Sequence, residues 1–447
     1  MNSSTDGWPS GRLAGWDAAL AEEDRRYRDA YPGPPGPGPV HTVYVPVPRF
    51  SAATVGEWRL AATAAVDDRP RQWEALLATL AAPQDRADLA ARTLAKLAAE
   101  PIEDLRIDFE DGFRAHRGTA ADDADEDAHA RRAAAAVAEL AGTTPRQLPA
   151  SWGLRIRSLA PETRARGLRT LGLFFDALFA ETDVLPGGFV VTLPKVTSQQ
   201  QVSVFVEVLA ALEEQYGIAV GSLRFEIQVE TPQTVLGADG RVPVAAMIHA
   251  SQGRVSGLHF GTYDYTASLG ILGAYQNLRH PVADFAKSLM QLAAAETGVR
   301  VSDGSDNKVP VGDDGTVLAR WEAHADGVGR ALRSGIYQGW DLHPAQLPTR
   351  FAATFAFFRA GADEAARRLG DYHRQCSGSG VMDEPATAFA LARHLAAAVR
   401  CGAVTTAELH EAGGIGPAVV RRYLVRNAVP GVDVPETPTD PDQEARP

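Results

Sequence analysis

Cysteine is nearly absent from this chain of 447 residues, since Cys376 and Cys401 are the only two. A disulfide framework is therefore excluded as the main source of stability, and a reducing compartment is expected. Lysine is scarce too: Lys96, Lys195, Lys287 and Lys308 complete the set. Schiff-base chemistry needs an amine nucleophile, so it is confined to those four positions. The chain also lacks a basic excess. Its net charge of −12 argues against a general nucleic-acid surface. Anionic substrates stay open, because a local arginine cluster overrules a distant field. No apolar run reaches the length of a membrane span. The opening residues show neither a basic n-region nor an apolar h-region. A soluble, cytoplasmic protein with no membrane partner is expected. The absence of a G-x-x-x-x-G-K-[ST] loop excludes a P-loop kinase.

What is present alternates. Residues 1–40 read as a short amphipathic helix followed by the linker YPGPPGPGPV, whose prolines and glycines disfavour regular structure. From His41 onward, β-rich runs are separated by alanine-rich helical stretches. The runs cover residues 41–48, 105–111, 153–158, 189–196, 223–231, 255–265, 299–304 and 335–344. Parallel strands need crossovers of this length, and eight such units predict a (β/α)8 TIM-type barrel over residues 41–350. The acidic run within 114–140 reads as a solvated loop and helix start. A C-terminal helical lid region is expected over 351–428, with a disordered, proline-rich tail at 429–447.

In such a barrel, chemistry sits at the C-terminal strand ends. The polar residues at those ends are Glu110, Asp111, Arg155, Arg157, Lys195, Glu230, Asp264, Asp303 and His343. Glu230 and Asp264 close two apolar runs. Carboxylates placed so cost burial energy unless a cation or donor meets them, and two can converge on one hard metal ion. Glu226 and Gln228 share the face of Glu230 by strand alternation, so a register shift would exchange the ligands.

The ordered set DFEDGF, RIR, LPK, VETP, FGTYDYTASLG, DLHPAQ and VMDEPA resembles the HpcH/HpaI aldolase and citrate lyase β-subunit-like family of the phosphoenolpyruvate/pyruvate barrel superfamily. The resemblance covers about residues 41–400. It implies that Glu230 and Asp264 ligate Mg2+, or Mn2+ in its place, together with waters and substrate oxygens. It implies that Arg155 grips the substrate carboxylate or the developing enolate oxygen. Asp108, Glu110 and Asp111 match the family's acidic strand end and would organise the arginine and a metal-bound water. Lys195 matches a pocket charge rather than a Schiff base, and His343 a supporting group or a structural histidine. Arg157 stands where the family has asparagine; it adds a second anion contact or pairs with Glu110 or Asp111. Asp383 resembles an aspartate that reaches into a neighbouring subunit as acid/base, the alternative being a cap on the helix that follows.

The resemblance thus implies a metal-dependent carbon–carbon lyase acting on a 2-oxo or 3-hydroxy acid or an acyl-CoA, assembled as a homo-oligomer. The rival readings are a phosphoenolpyruvate- or oxaloacetate-handling enzyme, non-P-loop phosphotransfer included, and a non-catalytic metabolite-binding barrel.

Overall fold

A computed structural model of the chain describes residues 8, 10–113, 120–143, 147–374 and 384–425. All eight β-rich runs form strands: β1 His41–Pro46, β2 Asp104–Asp108, β3 Ser151–Arg155, β4 Phe189–Leu193, β5 Arg224–Val229, β6 Val255–Phe260, β7 Arg300–Ser305 and β8 Gln338–Asp341. They close into a barrel in chain order, β1 through β8. The expected (β/α)8 architecture is borne out. Strands β3 and β4 pair in parallel, with Trp152 to Arg155 of β3 opposite Phe189 to Thr192 of β4. The β3–β4 approach leaves no room for a side chain at Gly153, where a Cβ would sit 1.7 Å from the Val190 carbonyl oxygen.

The chain divides into two compact units. One comprises Met1–Gly36, Tyr44–Ala52 and Leu105–Ser305. Its core is aromatic: Trp152, Phe174, Phe175, Phe189, Phe205, Phe225 and Phe260 are all buried. Each such side chain contributes about 1.5–3 kcal/mol on leaving water. Helix Gln199–Tyr216 shows how local sequence sets the crossovers. The Ser198 hydroxyl caps its start by accepting from the Gln201 N–H, and Gly217, at φ 65°, ends it in the left-handed region.

The expected N-terminal helix runs Ser10–Ala30, but it is not amphipathic in the usual sense, for Trp16, Leu20 and Tyr27 stay exposed. The proline–glycine segment after it makes one isolated parallel bridge, Gly33 to Thr297. Gly33 takes φ 120° there, open to glycine at little cost.

The other unit comprises Pro37–Val43, Ala53–Asp104 and Asp306–Pro447. Helices Leu347–His373 and Pro385–Cys401 supply its C-terminal part. Asp341 lies buried between three cationic or imidazole groups, at 2.9 Å from His41 Nδ1, 3.2 Å from His324 Nε2 and 3.0 Å from Arg350 Nη2. Arg350 first among these outweighs the burial that opposes ionisation, and the Asp341 carboxyl is held well below the usual range.

Candidate active site

Strand ends of the first unit bring Asp108, Glu110, Asp111, Arg155, Lys195, Glu230 and Asp264 into one linked set of contacts. Arg155, the last residue of β3, is buried. Its Nε and Nη2 donate to Asp108 Oδ1 and Oδ2 at 2.7 and 2.6 Å, the bidentate geometry of a guanidinium fork on a carboxylate. Asp108 is fixed in turn by the backbone N–H groups of Glu110 and Gly112, at 2.9 and 2.8 Å. The remaining nitrogen, Nη1, is held loosely: Gln228 Oε1 lies at 3.4 Å, Glu110 Oε2 at 3.5 Å and Asp111 Oδ2 at 3.6 Å. The guanidinium also stacks on Tyr44, 5.0 Å from its ring centre. Burial opposes its charge, yet Asp108, Glu110 and Asp111 outweigh that and raise its pKa further.

Glu230 follows β5 directly and is buried. Its Oε1 accepts the Lys195 backbone N–H at 2.7 Å, and its Oε2 accepts the Gln228 amide. Burial pushes its carboxyl up to about 8, and the negative charges of Asp264 and Glu110 add to the rise. Glu110 is pushed up to about 7, again first by burial. Gly261 makes room for Glu230, since a Cβ there would stand 2.6 Å from Glu230 Oε2.

One expectation is corrected at this point. The run through 265 does not stay extended: β6 ends at Phe260, and Asp264 lies in the first turn of helix Thr262–Ser268. Gly261 is still extended and forms the N-cap of that helix. Asp264 still reaches the cluster, with its Oδ2 3.1 Å from Lys195 Nζ. The same ammonium lies 2.5 Å from Glu110 Oε1 and 3.1 Å from Asp111 Oδ1. Lys195 adopts φ 50°, a left-handed conformation unusual for a side chain of this kind.

Other expected residues fall elsewhere. Arg157 does not meet Glu110 or Asp111; its Nε donates to Glu126 Oε2 at 2.9 Å, on helix Ala120–Gly142. Asp303 lies within β7 and pairs with Lys287 Nζ at 3.0 Å. His343 caps the short 3-10 turn Pro344–Gln346, its Nδ1 accepting the Ala345 N–H at 3.2 Å. Asp383 lies outside the described residues.

Sequence reasoning missed a polar layer inside the barrel. Arg106 of β2 donates through Nη2 to Glu226 Oε1 of β5 at 2.7 Å and through Nε to Thr192 of β4 at 3.0 Å. His259 Nε2 of β6 stands 3.2 Å from Glu226, and its Nδ1 3.3 Å from the Tyr44 hydroxyl of β1. Strands so far apart in barrel order meet only across the interior. The signal was available: Arg106 between Leu105 and Ile107, and His259 between Leu258 and Phe260, each stand between apolar neighbours inside a β-rich run.

The donor set suits a hard divalent cation. It offers carboxylate oxygens, and Glu230 is a buried carboxylate whose charge is opposed by burial and by its acidic neighbours, the setting in which a cation is favoured. Among the described residues, no group of three or more His, Cys, Asp and Glu is arranged to hold a metal. Mg2+ commonly takes only one or two carboxylates and keeps waters and substrate oxygens for the rest.

Comparison with known proteins agrees with the motif reading. The chain is 29% identical over 184 residues to an L-malyl-CoA/beta-methylmalyl-CoA lyase of Haloarcula marismortui, covering 41% of this chain and 49% of that protein. The match therefore spans about half the length of that relative. The crystal structure of a citrate lyase from Burkholderia xenovorans shares the fold, with a TM-score of 0.55 at 18% identity, over 84% of this chain and 96% of that one. No helix among the described residues is long and apolar enough to cross a membrane. The model of the family described as Domain of unknown function (DUF6986) matches residues 20–427, and the chain belongs to that family.

Proposed function

We propose that the protein is a Mg2+-dependent carbon–carbon lyase acting on a 2-oxo or 3-hydroxy acid, with an acyl-CoA thioester as the substrate class the lyase relative suggests. One observation carries this reading. Two carboxylates, Glu230 just after β5 and Asp264 in the helical turn after β6, are joined through Lys195 to the same cluster as a buried arginine with one loosely held nitrogen.

Arg155 divides its labour. Nε and Nη2 are committed to Asp108, which fixes the plane of the fork. Nη1 has only long contacts and is free to shorten onto a substrate oxygen, where enolate charge grows as the carbon–carbon bond breaks. Glu230 and Asp264 would hold the cation, whose contribution is to polarise the substrate carbonyl as a Lewis acid. Gln228 ties the two halves together, its carbonyl oxygen facing Arg155 and its amide facing Glu230. Glu110, with a carboxyl near neutrality, can take or give a proton at Oε2 beside Arg155. Asp383 from a neighbouring subunit remains the second proton carrier of this reading, which makes the active form a homo-oligomer. Mixing Asp383→Ala with Asp264→Ala subunits should then restore part of the activity; no recovery after verified exchange would end the shared site.

The direct test combines Mg2+ calorimetry on Glu230→Gln and Asp264→Asn with turnover assays over a panel of 2-oxo acids and acyl-CoA thioesters. Both variants should lose Mg2+ binding and turnover while keeping the fold. Wild-type Mg2+ affinity in both would remove the metal site from the proposal.

A further inference from the structure

We infer that Lys195 is the resident counter-ion of the metal-free site, supplying the positive charge among its carboxylates until a divalent cation displaces the ammonium toward solvent. This inference rests on the reading of Glu230 and Asp264 as cation ligands.

The geometry separates the main chain of Lys195 from its side chain. Its backbone N–H holds Glu230 Oε1 at 2.7 Å, a contact that keeps the carboxylate aimed whether or not the side chain moves. Its Nζ gathers Glu110 at 2.5 Å, Asp111 at 3.1 Å and Asp264 at 3.1 Å. Glu110, Asp111 and Asp264 share this one ammonium; Arg155 stands 3.5 and 3.6 Å from the first two, so Asp264 is the carboxylate that leans most on Lys195. Without it they would repel one another at a range where Coulomb energies are large. A divalent cation on Asp264 could not share that carboxylate with an ammonium 3.1 Å away without strong like-charge repulsion.

The side chain can leave. It is 31% exposed, whereas the Arg155 side chain is 6% exposed and locked at both ends of its fork. Lysine's four-carbon stem and compact charge suit departure, while a planar guanidinium suits staying. The left-handed φ of 50° is strain of a kind that persists where surrounding contacts over-determine it, and here it serves to direct both the N–H and the stem at the cluster.

The test uses full-length, metal-free protein at one fixed pH. First, Mg2+ affinity and metal-free melting temperature are measured for wild type, Lys195→Met and Lys195→Arg. Lys195→Met should melt lower without metal and bind Mg2+ at least about tenfold more tightly, the order expected when one competing charge is removed at this range. Lys195→Arg keeps the charge and should bind no more tightly than wild type. A merely structural lysine would not tighten Mg2+ binding on removal. Second, should Lys195→Met fail to fold, wild type alone decides. Reductive methylation of the lysines is followed by peptide mapping with and without Mg2+. Lys195 labelling should accelerate with Mg2+, while Lys96 and Lys287, ion-paired away from the cluster, hold their rates. A wild type that binds Mg2+ with unchanged Lys195 labelling, or a Lys195→Met protein that binds no tighter, overturns the counter-ion and leaves the metal site standing. A wild type that binds no Mg2+ overturns the metal reading, and the exchange falls with it.

Discussion

Replacing Arg155 with lysine separates what this residue holds from what it does. The guanidinium makes two charge-assisted hydrogen bonds to Asp108, at 2.7 and 2.6 Å, in a buried setting. An ammonium can keep one of them. The loss of the other is worth about 1.5–3 kcal/mol, as for hydrogen bonds to charged groups. Arg155→Met leaves Asp108 buried and unpaired, and should cost about 3–5 kcal/mol. Urea unfolding should therefore rank wild type above Arg155→Lys and Arg155→Met last. Turnover should fall further than stability. Under native conditions the lysine variant remains folded, yet it has no counterpart of Nη1 facing the substrate. Loss of one such donor costs about 100- to 1000-fold in rate. Measuring kcat at a denaturant-free temperature well below the melting point isolates this effect. A lysine variant with near wild-type turnover would remove Arg155 as the oxyanion clamp. One with unchanged unfolding would show that the Asp108 fork carries no stability.

Gly261→Ala should abolish Mg2+ binding and also lower stability, because the new methyl would stand 2.3 Å from Glu230 Cβ and 2.6 Å from its Oε2, and rotating the side chain relieves only the second; calorimetry with unchanged affinity would refute this. Gly153→Ala should instead cripple folding, since its methyl meets the Val190 carbonyl oxygen at 1.7 Å, and a soluble, cooperatively melting variant would count against the β3–β4 register. Glu103 is fully buried, and despite burial the neighbouring Lys96 holds its carboxyl down at about 2. A depressed carboxylate contributes stability above its unfolded pKa that is lost as pH falls through the folded value. Glu103→Gln should flatten the acid limb of the stability curve between about pH 4.5 and 2, by roughly 3 kcal/mol at most, and an unaltered limb refutes the pairing.

The barrel was legible because its strands are written as β-rich runs of the right length and spacing. VRVSDG, the least regular of them, still forms β7. The strand-end carboxylates and Arg155 were legible from position alone. Pairing partners were not, because they depend on distances across the barrel and between helices. Arg157 illustrates this. Its partner Glu126 belongs to the acidic stretch read as solvated, yet helical periodicity turns Glu126 and Asp127 inward toward Arg157, Arg166 and Arg169. A charge run shows its composition in sequence, and only the helix phase tells which members face protein. Asp264 was read as the end of a β-rich run, whereas it reaches Lys195 from a helical turn, because the apolar pattern runs on past Phe260 without marking where the extended backbone stops.

The layer of Arg106, Thr192, Glu226, His259 and Tyr44 has a bearing on how this chain can change over generations. These groups share donors and acceptors, with Glu226 serving Arg106, Thr192 and His259 at once. Replacing the whole set by hydrocarbon need not cost stability, since buried ion pairs exchange for well-packed apolar groups at little loss. Every single-substitution route to that state, however, passes through an intermediate with a buried charge stripped of its partner. The interior beneath the site is thus a ratchet. Loops and strand ends above it can drift toward new substrates one residue at a time, while the floor admits change only in concert.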